Sequence, residues 1–239
     1  MKPPIYEPTG KAKEYGDLAL NIYTGCPHRC YYCFAPNVLH KAREQFHSYC
    51  WGRPGIVDEV RKQLMRENIK DKLIHLCFTC DPYPTGHDTT DTRDIIKVLK
   101  AHGNHVQILT KGDGRRDFDL LDNKDWFGVT ISCMSYLADA SEPGAIAPEF
   151  RMWEIVEAHK RGIKTWVSFE PVICPDDIFT VIDVYHDYID KVKIGKLNYH
   201  PSDINWKEFG LQITGVCEAY NMDYYIKDSL RKEMEKNDV

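Results

Sequence analysis

The sequence predicts an α/β fold, a partial (βα)6 barrel in a single domain. Three observations lead there. Strand-like apolar runs alternate with helix-periodic runs about six times, the pattern of a parallel sheet with right-handed crossovers. A complete eight-unit barrel takes about 250 residues, and this chain of 239 residues also carries an arm and a long loop. No low-complexity linker and no internal repeat divides it.

Residues 1–16, rich in Pro, Gly and Lys, read as an N-terminal arm, and residues 17–239 as the barrel with a C-terminal extension. Leu18–Tyr23 reads as the first strand. A cysteine-rich loop follows to about Pro36, and then irregular chain with a short helix around Val38–Gln45. Val57–Asn68 sets Val60, Leu64 and Met65 at helical spacing. Leu73–Thr79 is a second strand, stopped by Asp81-Pro82-Tyr83-Pro84. Thr92–Ala101 gathers Ile95, Ile96 and Leu99 on one helical face and ends at Gly103. His105–Thr110 is the third strand, Phe118–Leu121 a short helix and Phe127–Ser132 the fourth strand. Pro148 opens a helix that Gly162 closes. Thr165–Glu170 is the fifth strand, Pro175 opens a helix to about Tyr188, and Lys191–Gly195 is the sixth strand. A helix over Trp206–Tyr220 and a short strand, Tyr224–Ile226, finish the chain.

The composition is that of a globular protein, with 43% hydrophobic and 28% charged residues. No run approaches the roughly 18 apolar residues of a membrane helix. Met1-Lys2-Pro3-Pro4 lacks the apolar core of a secretion signal, so a cytoplasmic protein is expected. The net charge of −5 argues against strong non-specific nucleic-acid binding and leaves room for a local basic groove. Nine cysteines, an odd number without an export signal, point to metal or redox chemistry rather than a disulfide framework.

The strongest motif is Cys26-Pro27-His28-Arg29-Cys30-Tyr31-Tyr32-Cys33, a C-x3-C-x2-C triplet directly after the first strand. Three thiols in one short loop suit a metal centre. Structural zinc takes four protein ligands, which here requires a distant fourth such as His28 or Cys50. Three cysteines can instead hold a four-iron cluster and leave one iron open.

On these residues the sequence resembles the radical S-adenosylmethionine (SAM) superfamily, which shares this triplet with an aromatic residue before its third cysteine, here Tyr32. It resembles in particular the spore photoproduct lyase and DNA repair photolyase-like group, over about Lys11 to Pro171. Asn21-Ile22-Tyr23-Thr24-Gly25-Cys26, Thr79-Cys80-Asp81-Pro82-Tyr83, Leu109-Thr110-Lys111 with Arg116 to Leu121, Gly128 to Ser132, and Glu142-Pro143-Gly144 carry that likeness. It implies the partial barrel of that superfamily, a 4Fe-4S cluster and SAM. It also implies reductive cleavage of SAM to a 5′-deoxyadenosyl radical that abstracts hydrogen from a nucleic-acid base, in repair or pyrimidine modification. The expected partners are a reducing protein such as flavodoxin or ferredoxin and a nucleic acid such as DNA, with no membrane, and the chain is expected to be a monomer.

The same resemblance makes Cys26, Cys30 and Cys33 the cluster ligands and sets Tyr32 against adenine. Asp81, ending the second strand, can accept from the methionyl amino group or simply form an Asp-Pro turn. Lys111, ending the third strand, can pair with the methionyl carboxylate or be a solvated loop lysine. Thr130 and Ser132 alternate onto one face of the fourth strand and suit the ribose, or bond to backbone. Glu170, at the barrel mouth, needs a partner or a function. Lys196 and Asn198, after the sixth strand, face the cofactor, the substrate or solvent. Cys77 and Cys80 form a C-x2-C pair from which a thiol can return hydrogen to a substrate radical, packing being the alternative.

Two positions depart from the lyase pattern. Phe78 stands where the lyases carry a hydrogen-donor cysteine, and Phe34 where they carry a relay tyrosine. Basic residues Lys111, Arg115, Arg116, Lys160, Arg161 and Lys164, with Trp126, Tyr136 and Trp153, offer charge and stacking for a strand, or each run is a solvated charged face. A peptide or small-metabolite substrate, and a non-enzymatic iron–sulfur or zinc sensor, are the competing functions.

Overall fold

The computed structural model describes residues 3–236. Its strands are β1 (Ile5–Tyr6), β2 (Leu18–Leu20), β3 (Tyr23–Thr24), β4 (Trp51–Gly52), β5 (Leu73–Leu76), β6 (His105–Thr110), β7 (Trp126–Thr130), β8 (Lys164–Phe169), β9 (Lys191–Ile194) and β10 (Asp223–Ile226). The main sheet runs β1-β2-β5-β6-β7-β8-β9-β10. Only β1 pairs antiparallel; the strands from β2 to β10 in that order are parallel. β3 and β4 form a small ribbon that holds the ends of the cysteine loop together. This is the expected α/β partial barrel. Tyr224–Ile226 proves to lie in a seventh parallel strand, one more than six units provide.

Helices follow the expected signals. Pro148 and Pro175 each open one, at Pro148–Lys160 and Pro175–Tyr185. Outward residues of the strands, such as Ile74, Leu76 and Ile108, join Ile95, Ile96 and Leu99 of helix Thr90–Ala101 in the core. Every residue of β8 except Lys164 is buried, as covering both faces of a parallel sheet requires.

The inner faces carry a different chemistry: His75, Gln107, Trp166, Ser168 and Lys193, all buried. A Cβ on Gly128 would stand 2.2 Å from the Trp166 ring, so the glycine makes room for that indole. Its Nε1 donates to the Ile108 carbonyl at 2.9 Å.

The N-terminal arm is built into the barrel. Ile5 pairs with Leu20, and Gln63 bonds both backbone groups of Ile5 at 2.8 and 2.9 Å. A 3-10 turn at Gly10–Glu14 then delivers Tyr15 into the lumen, beside the rings of His75, Phe78 and Trp166. Glu14 accepts from Tyr225 and from the amide of Asp228, at the far edge of the sheet. The arm thereby bridges the gap between the two sheet edges.

Some boundaries differ from expectation. The second strand stops at Leu76 because Cys77 turns into the left-handed region, φ 69°. The fourth stops at Thr130, and two short helices, Ala35–Val38 and Arg43–His47, replace the single one expected.

Candidate active site

The cysteine loop is held from several sides. Cys26 N donates to the Phe46 carbonyl, and His47 Nδ1 lies 2.8 Å from the Cys26 carbonyl. Arg43 donates to the carbonyls of Cys33 and Cys30. Loop 141–146 clamps the other side, with Tyr31 N on the Ser141 carbonyl at 2.9 Å and Gly144 N on that of His28 at 3.0 Å. Gly25 and Gly144 are the close approaches: a Cβ there would stand 2.1 Å from the Tyr49 carbonyl oxygen and 2.2 Å from that of Pro27.

Cys26, Cys30 and Cys33 are free thiols on the wall of a cavity of about 760 Å³ at the C-terminal ends of the strands. Arg43 and His47 occupy the carbonyls of Cys26, Cys30 and Cys33, and the backbone N–H groups of His28 and Ala35 bond the sulfurs of Cys26 and Cys33, so the three sulfurs are soft donors held in place by the loop. That donor set fits an iron–sulfur cluster. His28, the nearby candidate fourth ligand, is engaged by Thr85 (3.1 Å) and Asp81 (3.4 Å). Burial pushes the Cys30 thiol up to about 12 and raises Cys26 and Cys33, so a bound cation is needed to make them thiolates at neutral pH.

Tyr32 turns inward. Its hydroxyl meets Glu142 and, at 2.9 Å, Ser132. Glu142 is buried against Arg151. Burial works to raise the Glu142 pKa, but Arg151 and Lys111 outweigh it and hold the carboxylate ionised. The sequence reading assigned Glu142 no role. It quoted Glu142-Pro143-Gly144 as a motif, and that was the available signal. Ser132 belongs to this network and is not part of the cavity wall.

Lys111 lines the cavity, its Nζ 5.5 Å from the centre of the Tyr32 ring. Burial opposes its charge, but Cys30, Glu142 and Asp81 outweigh burial and raise its pKa. Among the described residues its ammonium faces no hydrogen-bond acceptor. Asp81 also lines the cavity, and its carboxylate takes Tyr83 N (2.8 Å), the Thr110 hydroxyl (2.5 Å) and Lys111 N (2.9 Å). It forms the Asp-Pro turn and fixes the Lys111 backbone as well. Thr130, buried at the end of β7, completes this wall.

Glu170 has its partners. Its Oε2 accepts from Lys227 at 2.5 Å and from the Tyr15 hydroxyl at 2.6 Å. Neither Tyr15 nor Lys227 was among the expected site residues, because nothing local in the sequence marks an arm tyrosine or a C-terminal lysine as inward. Lys196 pairs with Glu233, and Asn198 bonds Lys11 at 2.9 Å, while both line the cavity. Cys77 and Cys80 reach it too, hydrogen-bonded to each other.

Of the two readings of the basic residues, the structure bears out charged outer faces and assembles no basic patch among the described residues. Lys164 and Trp126 begin β8 and β7, opposite the mouth, and pack on each other. Arg115, Arg116 and Arg161 are neutralised by Asp113, Asp117 and Glu157. Of the patch, Lys111 alone lines the cavity.

A parallel partial barrel with a free cysteine triplet at the C-terminal ends of its strands defines a class of cofactor-dependent radical enzymes. The sequence model of the Radical SAM superfamily matches residues 20–187, and the chain belongs to that superfamily. The superfamily implies SAM and an iron–sulfur cluster. An uncharacterized protein, ORF301, of Acidianus two-tailed virus is 29% identical over 202 residues, 74% of this chain and 66% of that one, so this chain spans just under two thirds of that relative's length. Spore photoproduct lyase complexed with dinucleoside spore photoproduct superposes with a TM-score of 0.71 at 14% identity, over 92% of this chain and 79% of that one. SuiB of Streptococcus suis bound to precursor peptide SuiA gives 0.65 at 12% identity, over 93% and 52%. No helix among the described residues is long and apolar enough to cross a membrane.

Proposed function

We propose that this chain is a radical SAM enzyme acting on a nucleic-acid base, with Cys26, Cys30 and Cys33 holding a 4Fe-4S cluster. A cluster so held, with SAM bound, supplies one-electron cleavage of the sulfonium and the 5′-deoxyadenosyl radical. The protein binds, orients and excludes water. Lys111 carries the argument: a half-buried, charged ammonium with no acceptor among the described residues, beside Cys30, is a receptor for a carboxylate such as that of the methionyl group. Asp81 fixes the Lys111 backbone. Tyr32, anchored by Glu142 and Ser132, offers a ring face to adenine. Thr130 and Glu170 stand where ribose hydroxyls can be bound, with Lys196 and Asn198 further along the wall. Cys77 and Cys80 stand at the wall, burial having raised the Cys80 thiol well above its usual range, and an S–H group is what returning a hydrogen atom requires.

The fold likeness to a lyase bound to its dinucleoside supports the nucleic-acid reading. Likeness to a peptide-bound enzyme and the net charge of −5 favour a peptide as second reading. The test is anaerobic: reconstituted protein, SAM and dithionite, with 5′-deoxyadenosine assayed alone, with DNA and with peptide. Stimulation by DNA is expected; stimulation by peptide alone replaces the substrate assignment.

A further inference from the structure

We propose that Tyr199, Lys11 and Phe34 form an entrance clamp that stacks an unpaired base of a nucleic-acid strand at the cavity mouth, an inference that rests on the nucleic-acid reading above. Tyr199 is 83% exposed, yet it belongs to the cavity wall. Its backbone lies in the left-handed region, φ 67°, which a bulky residue adopts at a cost. A ring so presented to water contributes little to packing. Lys11 sits 5.0 Å from the centre of that ring while its Nζ donates to Asn198. Phe34, 48% exposed, lines the same cavity from the cysteine loop. Two presented rings and an ammonium thus border one opening.

Of the four lysines on the cavity wall, Lys196 and Lys227 are paired with Glu233 and Glu170, and Lys11 and Lys111 are left for a ligand, with further basic residues on the adjoining cysteine loop. Lys11, Arg29, Lys41, Arg43 and Lys111 pair with no carboxylate among the described residues. Lys11, Lys41 and Arg43 donate to neutral groups: Asn198, the Tyr49 hydroxyl and the carbonyls of Cys30 and Cys33. Away from the mouth, Arg93, Lys100, Arg115, Arg116 and Arg161 are each neutralised by Asp or Glu. Residues 26–52 hold three basic residues (Arg29, Lys41, Arg43) against one acid, Glu44, a balance of +2 in a chain of −5. A strand with a phosphate backbone and exposed bases uses both the uncompensated charge and the rings. An acidic peptide uses the charge alone.

The experiment is fluorescence anisotropy of a labelled short single-stranded oligonucleotide with the cluster-loaded protein, across a salt series. Tyr199→Ala is expected to weaken binding about tenfold, with Tyr199→Phe within about twofold of wild type, since base stacking needs the ring and not the hydroxyl. Lys11→Gln is expected to lower the salt slope by about 0.7, one phosphate contact on a single strand. Arg115→Gln, in the neutralised outer set, is expected to leave affinity unchanged. Equal binding by Tyr199→Ala and wild type overturns the clamp and spares the nucleic-acid reading. A wild type that forms 5′-deoxyadenosine but binds an acidic peptide and no oligonucleotide overturns both, leaving the radical chemistry in place.

Discussion

The Tyr15 phenol donates a 2.6 Å hydrogen bond to Glu170, a residue 155 positions away, and the Lys227 ammonium reaches the same carboxylate oxygen. The arm is therefore the inner wall of the barrel, and its ring carries two ammonium groups, Lys227 at 4.1 Å and Lys193 at 4.8 Å from its centre. Removing the ring opens a hole in the lumen, whereas removing only the hydroxyl leaves Glu170 paired with Lys227. Tyr15→Ala is expected to cost about 3–5 kcal/mol and Tyr15→Phe about 1–2 kcal/mol, read from urea unfolding.

Acid destabilises the lumen through His75. Burial, with the Lys193 charge, pushes this imidazole from its ordinary 6.5 down to about 3, and the Gln107 side chain beside it opposes that shift only in part. Between those values the unfolded chain binds a proton that the folded one refuses, so stability is lost as pH falls from 6.5. The slope from this group is about 1.4 kcal/mol per pH unit. His75→Phe keeps a ring against Phe78, now 4.2 Å away and stacked, and removes the titration. Between pH 6.5 and 5 the wild type is expected to lose about 2 kcal/mol more than this variant, measured by urea unfolding at the two pH values.

The order of the parallel strands, the helix starts at Pro148 and Pro175, and the cysteine triplet were legible in the sequence, because each rests on local pattern. The wall residues Cys77, Cys80, Asp81, Lys111, Thr130, Glu170, Lys196 and Asn198 were found by their place at strand ends, which topology sends to one mouth. Tyr15, Lys227 and Tyr199 were not, since what brings them in is a contact between the arm and the far sheet edge, or a positive φ. The outer arginines stayed open between a strand-binding and a solvated face for a related reason: sequence shows charge but not the acids that fold against it.

Gly144 joins the two halves of the cysteine clamp. A Cβ at this position would stand 2.2 Å from the Pro27 carbonyl oxygen and 2.9 Å from the His28 Cα, both backbone. Gly144→Ala is expected to displace the loop at a cost of about 1–3 kcal/mol. The iron bound per chain after reconstitution is expected to fall while the far-ultraviolet circular dichroism stays native.

The central claim is that the triplet holds a cluster that cleaves SAM. The direct measurement is anaerobic reconstitution of wild type and Cys30→Ala with iron and sulfide, followed by SAM and dithionite, with iron, sulfide and 5′-deoxyadenosine quantified in each. The account predicts about four iron and four sulfide per wild-type chain with deoxyadenosine formed, and no deoxyadenosine from Cys30→Ala. A wild type loaded with cluster that yields none, or a Cys30→Ala protein that matches it, contradicts the account.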